Sequence, residues 1–369
     1  MGNEKRERFL SVMAGERTEQ FSQFEHGFWQ ETYERFQQEG LPGDVTYPEL
    51  FSPSKNDLCS YFDILKIGYI RPTLYNIPYF DYEVLEETDE YIIARNGHGA
   101  ILETFKGNQS LPREIDFTIK CREDYLKYRE RFKSGMADER LAYISDELIT
   151  GSANQDNSLV VTHMDGFFAY LREIMGVENT LMMFYDDPEY IHMIYDDMTD
   201  MYMEVYSRIL DRVKPDFAFI WEDMCFKNGP LVSPGIFSEF MVPNYKKIVS
   251  FLHDYSIKNI IVDSDGDVLK LMPLWREAGV TGILPFEVQA GMDVTKIDEE
   301  FPDMVLVGGI DKRVFASGKK EDIDNELDRV LPAMAKRGRY IPTLDHWVPP
   351  EVSLDAFGYY VEKVRNFRL

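Results

Sequence analysis

From residue 158 onward, short β-branched or aromatic runs alternate with longer amphipathic stretches, and this alternation constrains the fold more than any other feature of the chain. The runs are SLVVTH (158–163), DFAFIWED (216–223), NIIVDSDGD (259–267), GILPFE (282–287), MVLVGGID (304–311) and RYIPTLDH (339–346). Helical patterns at 186–213, 233–256, 267–278 and 320–337 lie between them. Strands separated by helices in this way predict βαβ units and a parallel sheet. Two weaker runs, FSQFEH (21–26) and the segment around CSYFDIL (59–65), raise the total to eight. Eight such units favour a closed (β/α)8 TIM barrel over an open doubly wound sheet. No GxGxxG follows the first strand, which counts further against a dinucleotide-binding fold.

The first 150 residues read differently. Residues 5–20, 30–39 and 121–147 are charged and helix-like, whereas 80–106 alternates around Asn96–Gly97 and Gly99 and predicts an antiparallel β-hairpin. The expected organisation is one barrel over 1–369. Its N-terminal units, helices and hairpin insertion fill 1–157, and regular βα units fill 158–369.

Charge narrows the function. The 40 Lys and Arg residues face 65 Asp and Glu, a net charge of −25 that would repel a polyanion and excludes nucleic-acid binding. With 44% hydrophobic and 14% aromatic residues the chain has ample material for a core. No apolar run reaches membrane-spanning length, and the charged start MGNEKRERFL lacks the apolar stretch of a secretory signal. Cys59, Cys121 and Cys225 are widely spaced and odd in number, so a reducing, cytoplasmic setting is expected. Cys59 and Cys121 read as small buried hydrophobes, His98 as a surface turn residue, and His192 and His253 as helix residues without a chemical role.

The polar residues carry the strongest functional signal. Nearly every strand run ends in ionisable groups: His26, His163, Glu222, Asp223, Asp263, Asp265, Glu287, Asp311, Asp345 and His346, with Trp221 and Trp347 beside them. In a barrel these ends converge on the face where active sites form. A ring of buried carboxylates requires counter-charge or a metal. Taken singly, each acid could instead cap the helix that follows. Gly308–Gly309, followed by Lys312 and Arg313, weakly suggests a phosphate-cradling loop.

At these residues the chain resembles the uroporphyrinogen decarboxylase superfamily, which includes methyltransferases serving corrinoid proteins. The resemblance rests on GxxxYLREIMGVENTLMMFYDDPEYI (166–191), WEDMCFKNGPLVSP (221–234), DSDGDVLKLMPLWREAGVTGILPFEVQAGMD (263–293), LVGGIDKRVFASG (306–318) and YIPTLDHWVPP (340–350). It implies a TIM barrel. It also implies roles for Asp63 in FDIL, Tyr170 in FFAYL and His346 in LDHWVPP as catalytic residues. The arginine-bearing motif of the decarboxylase proper is replaced here by HGFWQETYERF (26–36), and a polycarboxylate tetrapyrrole would need several guanidinium groups.

The methyltransferase branch fits better, with one departure. Where thiol-methylating members carry a zinc-binding His-x-Cys-Gly and a later Cys, this chain has Asp263–Ser264–Asp265–Gly266 and Asp345. Oxygen donors, with Glu222 as a fourth, suit Zn²⁺ or a harder divalent ion, and Cys225 is the only thiol nearby. A metal-free cluster gripping a cationic or hydroxylated substrate is the alternative. The resemblance therefore implies a substrate-side methyltransferase that demethylates a methoxyaromatic or methylated amine and passes the methyl group to a separate corrinoid protein. His26, Trp29, His163, Trp221 and Trp347 would form the substrate wall. A decarboxylase and a non-enzymatic binding protein are the competing classes, and a homodimer is compatible with either enzyme.

Overall fold

The computed structural model describes residues 4–48, 56–106, 112–133, 137–141, 158–297 and 300–368. The strands in chain order are β1 (Lys66–Ile70), β2 (Glu83–Glu87), β3 (Tyr91–Arg95), β4 (Ala100–Phe105), β5 (Arg113–Phe117), β6 (Ser158–Asp165) and β7 (Phe217–Trp221). They continue with β8 (Cys225–Phe226), β9 (Gly229–Pro230), β10 (Ile260–Asp263), β11 (Gly282–Leu284), β12 (Val305–Val307) and β13 (Tyr340–Ile341). One all-parallel sheet runs in the order β1-β6-β7-β10-β11-β12-β13. Its strands are nearly continuous apolar runs, as expected where both faces of a sheet are covered.

Alternate residues along the strands divide between two cores. Ile67, Tyr69, Leu159, Val161, Phe217, Phe219, Ile261, Leu284, Val305, Val307 and Ile341 share one cluster. Val160, Ala218, Ile220, Ile260, Val262, Ile283 and Leu306 pack with the surrounding helices in the other. Because the first and last strands contribute to the same inner cluster, the sheet curls into a TIM-barrel-like arc. Phe9, Val12 and Met13 of the helix Glu4–Ala14 join that inner cluster, and the Phe9 ring lies 5.5 Å from Phe217.

The segment 21–28 touches both edges of the sheet. Leu65 N donates to Gln23 O (3.0 Å), Leu344 N donates to the Glu25 carboxylate (3.1 Å), and Phe28 bridges Val348 in parallel. The other early run lies elsewhere. Leu58–Tyr61 is helical, capped by Asp57 accepting from Ser60 N, and the strand begins only at Lys66. Residues 80–106 hold three strands rather than two: β2–β5 form a four-stranded antiparallel sheet, with Asn96–Gly99 joining β3 to β4.

Later helices sit close to their expected ranges. Pro188–Leu210 starts on an Asp187 cap with proline in its first turn, and Lys320–Arg337 matches its expected span. The expected helical stretch 121–147 appears as Arg122–Lys133 and Ala137–Leu141; the rest of it, and the 157/158 division, lie outside the described residues or at their edge. Among the described residues no helix is long and apolar enough to cross a membrane, and all three cysteines are unbridged.

Candidate functional site

The C-terminal ends of the parallel strands carry polar side chains, but these are paired rather than left as a bare acidic ring. Arg71 meets Asp165 (3.0 Å), Arg172 meets Asp223 (2.9 Å), His26 meets Asp263 (3.3 Å) and His346 meets Asp265 (3.4 Å). Lys312 lies 3.4 Å from Glu287 and 3.7 Å from Asp345. The negative charge at the mouth is thus locally compensated, as burial of carboxylates requires.

The four acids expected to hold a metal separate into different jobs. Glu222 is fully buried at the end of β7 and accepts from the backbone N–H groups of Phe167 and Phe168 (both 2.9 Å) and Ala169 (3.2 Å), and from Tyr245 Oη (2.6 Å). It caps the helix Phe167–Met175. Burial raises its pKa to about 7, against the pull of Tyr245 and the three amides. The close approach needs Gly166, where a Cβ would sit 2.2 Å from the Glu222 Cδ. Asp345, also fully buried, accepts from Val288 N and Lys312 N (both 2.9 Å) and ties two loops together. Asp263 is engaged with His26, and burial raises its pKa while His26 opposes the shift.

Asp265 keeps its place in a potential ligand set, with Glu287 and His346. One ligand atom from each of these three lies within 4.8 Å of the others. Burial opposes ionisation of Asp265, but the hydrogen bond and charge of His346 outweigh it and hold the carboxyl below its ordinary value. His346 responds in kind: burial disfavours its charge, and Asp265 more than restores it, raising the pKa. Asp311 follows the capping alternative, accepting from Arg313 N (2.9 Å) at the start of the short helix Lys312–Phe315.

Aromatic rings wall this trio. Trp29 stacks on His346 with centroids 6.2 Å apart and an interplanar angle of 11°. Trp347 lies 5.5 Å from Trp29 and presents an edge to His26 at 6.4 Å. Trp221 sits farther along the sheet, under the Arg172 guanidinium at 4.9 Å. His163, on β6, packs against Tyr69 and Phe219, and burial with the Arg71 charge lowers its pKa to about 3, so it is neutral. Two strand-end residues, Asp223 (φ 42°) and Phe286 (φ 59°), adopt left-handed backbone angles that are strained for non-glycine side chains.

The residues assigned to catalysis do not assemble. Asp63 precedes β1 and therefore lies at the opposite, N-terminal end of the strands, largely exposed and ion-paired with Lys5 and Arg365. The residue that follows β1 at the mouth is Arg71. Tyr170 is fully buried, stacked on Tyr75 at 5.3 Å and 3.5 Å from the Tyr128 hydroxyl. Only His346 of the three faces the Asp265 cluster. Gly308 and Gly309 do not cradle phosphate: a Cβ on Gly308 would sit 2.0 Å from Pro285 O, and Gly309 N already donates to that oxygen. His98 lies in the expected turn but is half-buried rather than on the open surface, its ring packing 4.1 Å from Tyr75.

Arg71 and Asp165 stand outside the expected site residues, Lys312 is expected only beside the Gly308–Gly309 loop, and Glu287 only as a strand-end acid. The expected run around CSYFDIL (59–65) stops short of Arg71, although the apolar run KIGYI and its abrupt break at Arg71–Pro72 mark the strand that enters the sheet.

A curled parallel sheet with its polar residues gathered at the strand C-termini places this protein among the TIM-barrel-like α/β enzymes. More narrowly, the chain belongs to the uroporphyrinogen decarboxylase (URO-D) family, whose model matches residues 138–367. Among solved structures it is similar to a methyltransferase from Methanosarcina mazei at a TM-score of 0.63 and 15% identity, over 98% of each chain. That likeness supports the fold. A protein assigned as a vitamin-B12-independent methionine synthase from Listeria monocytogenes is more distant, at a TM-score of 0.36 and 12% identity over 60% of this chain and 69% of that one. No curated protein sequence matches the chain significantly.

Proposed function

We propose that this protein is a methyltransferase that removes a methyl group from a methoxyaromatic or methylated amine and delivers it to a separate corrinoid protein. The reading is supported above all by Asp265, Glu287 and His346, whose ligand atoms lie within 4.8 Å of one another beside Trp29. Two carboxylates and one imidazole form a donor set suited to Zn²⁺ or a harder divalent ion. When bound, such an ion would supply Lewis acidity to the departing oxygen or nitrogen, which leaves with the bonding pair and takes up a proton.

The chain's own residues supply the rest. The indoles of Trp29 and Trp347 offer flat faces to an aromatic ring or, by cation–π attraction, to a methylammonium. Lys312, beside Glu287, supplies positive charge near a leaving phenolate. The Asp263–His26 pair holds the imidazole against Trp347 and so shapes the wall. In this reading segment 21–28 is the eighth stave of a closed barrel, consistent with its contacts to both sheet edges. A tetrapyrrole decarboxylase draws no support from the positions of Asp63 and Tyr170.

The test is methyl transfer from candidate donors to a corrinoid protein reduced to cob(I)alamin, followed by absorbance. Failure of every methoxyaromatic and methylamine donor would overturn the proposal.

A further inference from the structure

The mouth has a second polar pole, away from the Asp265 cluster in the sheet order. Strands β1 and β6 are neighbours, with Ile70 opposite Thr162, so Arg71 emerges beside His163. Arg71 gives an Nη2 hydrogen to Asp165 at 3.0 Å. The Asp165 side chain has no exposure, whereas that of Arg71 is 37% exposed. The antiparallel sheet closes over this side of the mouth: His98, in the turn between β3 and β4, packs on Tyr75, which stacks in turn on Tyr170. Burial lowers the pKa of His98, and its buried Nδ1 has no hydrogen-bond partner among the described residues.

A buried carboxylate needs a counter-charge, which would explain an arginine at this place but not its half-open presentation. The guanidinium is held through Nη2 by Asp165, and among the described residues its other N–H donors have no partner and remain for a ligand. An orphaned imidazole nitrogen is costly unless a ligand satisfies it. Both features point to an acceptor between the barrel and the sheet.

We propose that Arg71 and His98 form a carboxylate subsite that receives the anionic end of the methyl donor, an inference that rests on the methyltransferase reading for the identity of the other end. Carboxylate geometry matches the planar fork of arginine, and the pinned side chain loses little freedom on binding. A donor would then lie across the mouth, its carboxylate at Arg71 and its methyl-bearing heteroatom toward Asp265, Glu287 and His346.

The test uses benzoate, which has no methyl group to transfer, and its neutral counterpart methyl benzoate, titrated calorimetrically into the full-length protein. The wild type should bind benzoate in clear preference to methyl benzoate, and Arg71→Gln should weaken benzoate about tenfold or more. Because Arg71→Gln leaves Asp165 buried without its partner, the double variant Arg71→Gln/Asp165→Asn, neutral at both positions, provides a second reading and should show the same loss. His98→Ala should weaken benzoate by a smaller factor. Equal binding of the two probes, no benzoate binding by the wild type, or full benzoate affinity in the double variant would overturn the subsite. Methyl transfer is scored separately. Its absence alongside Arg71-dependent benzoate binding would remove the methyltransferase reading and leave the subsite standing.

Discussion

The Glu222 carboxylate reaches from the end of β7 to the backbone N–H of Phe168, 2.9 Å away, and so fastens the helix that follows β6 to the strand beside it. The same carboxylate serves Phe167, Ala169 and Tyr245, all of them buried. Glu222→Ala would orphan these donors together, and we expect a loss of about 3–5 kcal/mol of stability in urea or thermal unfolding. Glu222→Gln, which keeps one acceptor, should lose clearly less. Equal stability of the alanine variant and the wild type would refute this anchoring role.

The Asp265, Glu287 and His346 cluster makes a compositional prediction. Purified protein should contain about one divalent ion per chain by elemental analysis, and Asp265→Ala or His346→Ala should remove most of it. Methyl transfer should fall with metal content, by two orders of magnitude or about that. A fully active protein without metal would eliminate the ion from the proposed chemistry.

Asp63 provides a control at the other end of the strands. Its partners Lys5 and Arg365 are surface groups, and it is more than half exposed. Asp63→Asn, which tolerates the same positive φ, should leave methyl transfer within about twofold and the melting temperature within about 2 °C. A collapse of turnover in this variant would restore the aspartate to the active site.

Glu25 should impose a pH dependence on folding. Burial pushes its carboxyl up to about 8, against the pull of Leu344 N, while in the unfolded chain it titrates near its ordinary value of 4.5. The folded state therefore keeps a proton that the unfolded state releases. Stability should fall as pH rises from about 4.5 to about 8 and level off above, with a total change on the order of a few kcal/mol. Glu25→Gln should be more stable than the wild type near pH 8 and show a shallower slope in denaturant titrations across this window. An unchanged slope would assign the dependence to other groups.

The parallel strands from 158 onward were legible because each is an apolar run bounded by turn residues, and periodicity survives any detail of packing. The convergence of His26, Asp265, Glu287 and His346 at one face followed from strand direction alone. What was not legible was how each acid is used. Glu222 and Asp265 are both acids just past a strand, yet one turns toward amide groups of a neighbouring helix and the other toward an imidazole. That choice depends on the neighbours that the tertiary fold supplies, Gly166 in one case and His346 in the other. The misplacement of Asp63 has a different origin: a capped turn, Leu58–Tyr61, stands before a strand of similar hydrophobicity, and composition alone cannot say which of the two enters the sheet.

The antiparallel sheet is built from β2 to β5, and its turn at His98 leans on Tyr75 beside the mouth. Its pairings are made within itself, so residues on its tip can be exchanged without altering the register of the parallel staves. Exchanges on that tip would then alter what can approach the mouth while leaving the strand-end side chains in place. Diversification of donor preference among related chains should concentrate in this visor, and grafting it between them is a direct way to transplant selectivity.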